Sequence, residues 1–164
     1  MRPQRQKYGD ARQGVSGDCH RTCLAMLLDM DRDDVPHFME GCEPNVAVEH
    51  PDSLAAEVWE REWLWERGLV RVNIPFHGDA KLDTIVEQFS LFEAGVILGC
   101  SSERGNHSVV IYKGRIYNPN YGEVVGPMRD GFWWVTVLSV STQPLPVALQ
   151  DANVAQQEER SNGN

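Results

Sequence analysis

Cys19 heads the run Cys19-His20-Arg21-Thr22-Cys23-Leu24-Ala25-Met26-Leu27-Leu28, an apolar segment of helical period behind a loop that carries Gly14 and Gly17. Unpaired backbone N–H groups and the positive end of the dipole at a helix start favour a thiolate, the nucleophilic form of cysteine. The glycines let the loop turn tightly and leave the sulfur open. Such a cysteine needs a base, and the base needs a group that orients it. His107 opens His107-Ser108-Val109-Val110-Ile111-Tyr112-Lys113-Gly114-Arg115-Ile116-Tyr117-Asn118-Pro119, which reads as a β-hairpin turning at Lys113-Gly114. Residues near 109–110 then pair with residues near 117–118, so His107 and Asn118 lie at the same end of neighbouring strands. An Asn oxygen there can accept from one imidazole N–H and fix the tautomer while the other nitrogen faces the sulfur. Asn120 is the rival orienter, but it lies past Pro119 and off the ladder. Gln13, six residues before Cys19, can add a side-chain N–H2 to the Cys19 backbone N–H. Two such donors form an oxyanion hole.

These residues, as Gln13-x4-Asp18-Cys19-x3-Cys23-Leu24-Ala25-Met26-Leu27-Leu28 with His107-x-Val109-Val110-x-Tyr112-Lys113-Gly114 and Asn118-Pro119, resemble the peptidase C39 branch of the papain-like cysteine hydrolases. The resemblance covers residues 13 to about 30 and about 95 to 120. The chain also resembles small stand-alone phage and bacterial proteins that share the cysteine helix and a Val35-Pro36-His37-Phe38 segment. His20 stands where the family usually has glycine, and Asn118 where it more often has aspartate. The resemblance implies a papain-like α+β fold, with N-terminal helices packed on a small antiparallel β-sheet. It implies thioester chemistry on a peptide, isopeptide or related amide bond, with Cys19 attacking, His107 moving the proton, Asn118 holding His107 and Gln13 stabilising the oxyanion. Asp18 shapes the loop or caps the helix, and its position also permits a substrate contact; His20 neighbours the nucleophile and lines the cleft. No cofactor and no metal are expected. The alternative is a non-catalytic, phage-type binding protein of the same fold that occupies a host factor. In a third possibility an amine rather than water resolves the thioester.

Other chemistries fit less well. Asp29-x-Asp31-x-Asp33-Asp34-x5-Glu40 has the carboxylates of a calcium loop, but Asp34 stands where the sharp turn needs glycine. Zinc at Cys19, His20, Cys23 and Cys42 lacks a second ligand pair at matching spacing. Gly14-x-Ser16-Gly17 lacks the second glycine of a serine elbow. Cys23 and Cys100 sit in apolar surroundings and read as reduced core residues, and four cysteines in a chain of 164 residues do not make a disulfide scaffold.

The elements that must position the candidate site follow from periodicity. A polar arm over 1–12 precedes the cysteine helix at about 19–29, then an acidic turn and a short helical piece near 33–41. An irregular stretch covers 42–52. Ser53 is expected to cap a second helix whose Leu54, Ala55, Val58, Trp59, Trp63 and Leu64 recur at helical spacing, with Gly68 closing it. Trp59 and Trp63, on one face, read as a core seam. A strand over 69–76 ends at Pro75, a third helix covers 82–89, and strands cover 94–100, 107–112, 115–118 and 132–140. Trp133 and Trp134 alternate across the last strand, one inward and one outward. Helices first and a sheet after make the class α+β.

One domain over 1–142 is expected, with a disordered tail over 143–164 that is rich in Gln, Asn and Glu. A chain of this size buries roughly 70% of its unfolded surface, and 41% hydrophobic residues with five tryptophans suit a packed core. A net charge of −9 argues against nucleic acid and anionic membranes as partners. The expected partner is a peptide or protein substrate. A polar N-terminus and no apolar run of ~18 residues point to the cytoplasm, the host's if the chain is phage-encoded.

Overall fold

Apolar residues from Cys23 to Met26, together with Thr22, leave α1 (Cys19–Leu28) buried on nearly every side rather than along one stripe. A helix of that pattern belongs inside a protein. It stops at Asp29, whose left-handed φ of 56° lets its N–H return to the Ala25 carbonyl. The computed structural model describes residues 1–8, 17–42, 50–103, 105–120 and 122–141. Gln13, most of the irregular stretch expected at 42–52 and the tail from 143 lie outside these.

The short helical piece expected near 33–41 is a 3-10 turn at Arg32–Asp34. Next comes α2 (Pro51–Trp65), which begins two residues before the expected cap at Ser53. The physical reason is Pro51, whose fixed φ suits the first helical position, and His50, whose Nδ1 accepts from the Asp52 N–H at 3.3 Å. Trp63 is in the core, with the Arg67 guanidinium 3.8 Å above its ring. Trp59 is 39% exposed and meets Phe38 edge-on, so only one of the pair is a full core residue.

Five antiparallel strands follow: β1 (Leu69–His77), β2 (Val96–Ser102), β3 (Gly105–Tyr112), β4 (Arg115–Tyr117) and β5 (Phe132–Val140), with α3 (Leu82–Gln88) between β1 and β2. The sheet order is β1-β5-β2-β3-β4, making the class α+β. β1 runs through Pro75 instead of ending there, because it is an edge strand, where a missing N–H is tolerated. The hairpin between β3 and β4 turns at Lys113 and Gly114, whose φ values of 50° and 68° match the twist of the flanking strands. Trp133 is buried; Trp134 is partly exposed and donates Nε1–H to Asp130 at 2.7 Å.

Alternation along β2 and β3 splits the core in two. Ile97 and Val110 pack with Leu24, Met26, Trp63 and Leu64 against α1 and α2. Leu98, Cys100, Val109 and Ile111 pack with Ile85 and Phe89 against α3. Cys19, Cys23, Cys42 and Cys100 are all free thiols. Among the described residues no helix is long and apolar enough to cross a membrane.

Candidate active site

β4 is only three residues long and its ladder stops at Tyr117, opposite Val110. Beyond that point no described strand pairs with that edge of β3, and His107 meets Asn118 there. Asn118 Oδ1 lies 2.8 Å from His107 Nε2 and also accepts from the Asn120 N–H at 2.9 Å, while its Nδ2 donates to the Gly122 carbonyl at 2.6 Å. These bonds fix which end of the amide is oxygen. Since Oδ1 only accepts, Nε2 must carry the proton, and Nδ1 is the basic nitrogen of neutral His107. Burial holds the His107 pKa below its ordinary value, and the Asn118 bond works against that shift. Asn120, the rival orienter, supplies a backbone N–H to Asn118.

The Cys19 sulfur, at the start of α1, accepts the backbone N–H of Ser108, the residue after His107. Strand N–H groups lie in the plane of the sheet, so a sulfur arriving from the α1 side reaches the edge that carries Asn118. Its charge is also felt at Cys100, the cross-strand neighbour of His107. Burial pushes the Cys19 thiol above its ordinary value. The Ser108 N–H, the charge of His20 and the His20 N–H pull the other way, and Asp18 adds to the rise. The helix start alone predicts a thiolate; here desolvation outweighs it and favours the thiol. Cys100 is pushed up to about 12 and Cys23 higher than usual, both by burial first, as expected for core cysteines.

Of the readings given for Asp18, the loop-shaping one fits its contacts. Its side chain is fully buried and makes no cap bond to α1. The carboxylate accepts from the Lys7 N–H at 3.0 Å and the Tyr8 N–H at 2.9 Å, with Arg21 and Arg32 at 3.8 and 3.9 Å. It shapes the loop by clamping the N-terminal arm beside Cys19. The same arm holds the Asn118 loop: Arg5 Nη1 donates to the carbonyls of Asn118 and Asn120, and the Gln6 N–H donates to Pro119. His37, from the Val35-Pro36-His37-Phe38 segment, stacks on Tyr8 at 5.8 Å and reaches the Gly17 carbonyl at 3.4 Å.

His20 is 34% exposed, and its Nε2 lies 3.1 Å from Glu60 Oε1. No signal near Cys19 in sequence points to Glu60, to Arg71 behind it, or to the Ser108 N–H. Among the described residues no group of three or more His, Cys, Asp or Glu side chains is arranged to hold a metal ion. Of the calcium-loop carboxylates, Asp31 pairs with Arg2, and Asp33 with Arg21 and Arg32. A polar hollow of about 500 Å³ is lined by Gln4, Arg5, Asp31, Arg32, Asp33 and Asp34, on the arm rather than at Cys19.

No protein-family model, curated protein or solved structure significantly matches this chain.

Proposed function

We propose that this protein is a papain-like cysteine hydrolase acting on a peptide, isopeptide or related amide bond. The observation that carries the reading is the locked Asn118 amide, which leaves Nδ1 of His107 as the proton acceptor one residue from Ser108, whose backbone N–H weighs on the Cys19 thiol. As sulfur attacks the carbonyl carbon, its proton passes to Nδ1. Asn118 stabilises the resulting imidazolium, which returns the proton to the leaving amine. The Cys19 N–H, with the side chain of Gln13, binds the oxyanion. Water activated by the same imidazole then cleaves the thioester.

A second reading, a binding protein of the same fold without turnover, draws on the upward shift of the Cys19 thiol, the behaviour of a cysteine packed as a small hydrophobe. A peptidyl acyloxymethyl ketone probe separates the two. The hydrolase reading expects modification at Cys19 and its loss in His107→Ala, followed by new protein termini in a proteome digested by the wild type but not by Cys19→Ala. Labelling of Cys19 no faster than that of Cys42 overturns the hydrolase reading and favours the binder. Products carrying an added amine at the new terminus identify acyl transfer.

A further inference from the structure

A charged cluster beside Cys19 takes no part in the proposed triad. His20, the next residue of α1, meets Glu60 of α2, and the other oxygen of Glu60 meets Arg71 Nη1 of β1 at 3.0 Å. Arg71 also reaches Glu57 at 3.4 Å. Glu60 is 4% exposed, so its charge is shielded from water and directed into these two partners. A buried carboxylate of this kind is costly unless both its oxygens are matched. Here one oxygen is matched by a permanent cation and the other by an imidazole adjoining the nucleophile.

We propose that His20, held as an imidazolium by Glu60, is the electrostatic partner of the Cys19 sulfur and favours its thiolate form, while His107 does the proton transfer. The inference rests on the hydrolase reading and extends it to a second histidine. The charged groups that weigh on His20 are Glu60 from α2, Arg71 from β1 and Cys19 from its own helix. Burial alone would strip its proton; the Glu60 carboxylate outweighs that and Arg71 only partly opposes it, so the balance favours the charged ring. The Glu60 carboxylate is held below its ordinary range by His20 and Arg71 despite its burial, which keeps the pair ionised. The two imidazoles beside Cys19 therefore divide the work. His107, with a neutral amide behind it, accepts a proton, and His20, with a carboxylate behind it, keeps one. His20 acts through its charge and is a positioning residue; it exchanges no proton in the reaction.

The test is the rate of Cys19 alkylation by iodoacetamide as a function of pH on the full chain, read by peptide mass spectrometry so that Cys42 is scored separately. Glu60→Gln and His20→Gln are each expected to move the midpoint upward by about one pH unit, roughly a tenfold slower reaction on the acid side. Profiles unmoved by both substitutions in folded protein overturn the inference. His107→Ala, run in parallel, tests the underlying reading: a profile it leaves untouched counts against His107 as the base whatever His20 does. Because Glu60→Gln orphans Arg71 and can cost the fold, nitrogen-detected NMR of the wild type supplies a second arm. His20 is expected to be charged, and His107 neutral with its proton on Nε2, at neutral pH. A neutral His20 there overturns the proposal.

Discussion

His107 Nε2 donates to Asn118 Oδ1 across 2.8 Å, and the two further bonds of that amide leave Nδ1 as the nitrogen able to take a proton. Asn118→Ala removes this hold. Losing a hydrogen bond to a ring that becomes charged costs about 1.5–3 kcal/mol, so probe labelling of Cys19 should fall by roughly 10- to 100-fold. Asn118→Asp, which keeps the acceptor, should retain most of the labelling. NMR of His107 should show a mixture of tautomers in the alanine variant alone.

A sulfur that accepts the Ser108 N–H should also lie within bridging range of the neighbouring imidazole. 1,3-Dibromoacetone, which alkylates first a thiol and then a nucleophile a few ångströms away, should join Cys19 to His107. Mass spectrometry of the digest should find that cross-linked peptide and no Cys19–His20 product, since His20 is turned to Glu60. Failure to bridge Cys19 and His107 would place the two groups too far apart to exchange a proton.

The two histidines should tilt the pH dependence of stability in opposite directions. Folding raises the pKa of His20 from its ordinary 6.5, chiefly because Glu60 outweighs burial. Its stabilising contribution is full below 6.5 and fades as pH rises through the folded value. Folding lowers the pKa of His107 from the same value by burial, so its neutral form costs nothing above 6.5 and a growing amount as pH falls toward the folded value. Relative to wild type, His20→Gln should therefore gain stability with rising pH above 6.5. His107→Gln should be relieved of its loss below 6.5. Urea midpoints measured from pH 5 to 8 in both variants check the two signs.

Asp18 should matter more for the arm than for the thiol. Asp18→Ala leaves the N–H groups of Lys7 and Tyr8 without their acceptor and takes from Arg21 and Arg32 one of the two carboxylates they face, Asp33 remaining. The cost should be about 3 kcal/mol by denaturant unfolding. Trypsin should cut after Arg5 and Lys7 at rates at which the wild-type arm stays intact. Asp18→Asn, which still offers one oxygen, should fall between them.

Much of the fold was legible locally. The β-branched run from Val109 to Ile111, the Lys113-Gly114 turn and the apolar period of α1 each carry their own conformational preference, and the structure has a hairpin and a helix at those places. Errors came where an element's limit depended on its neighbours. Pro75 ends a strand only if its missing N–H falls inside the sheet, and β1 turned out to be an edge. For Asp18 the local sequence leaves loop shaping and helix capping both open, and the arm returning from residues 7 and 8 to claim the carboxylate decides for the loop.

By itself the sequence determined which groups this chain has for chemistry: a cysteine opening a helix, a histidine on one strand of a hairpin and an asparagine just past the other, set by short-range spacing that any extended or helical backbone must obey. Only the tertiary structure decided their states. Which imidazole nitrogen is basic, which histidine is charged and how far burial lifts the thiol depend on Gly122, Glu60, Arg71 and Ser108, brought in from distant parts of the chain. Proton affinity is set by desolvation and by charges within a few ångströms, and proximity of that kind is a property of the fold.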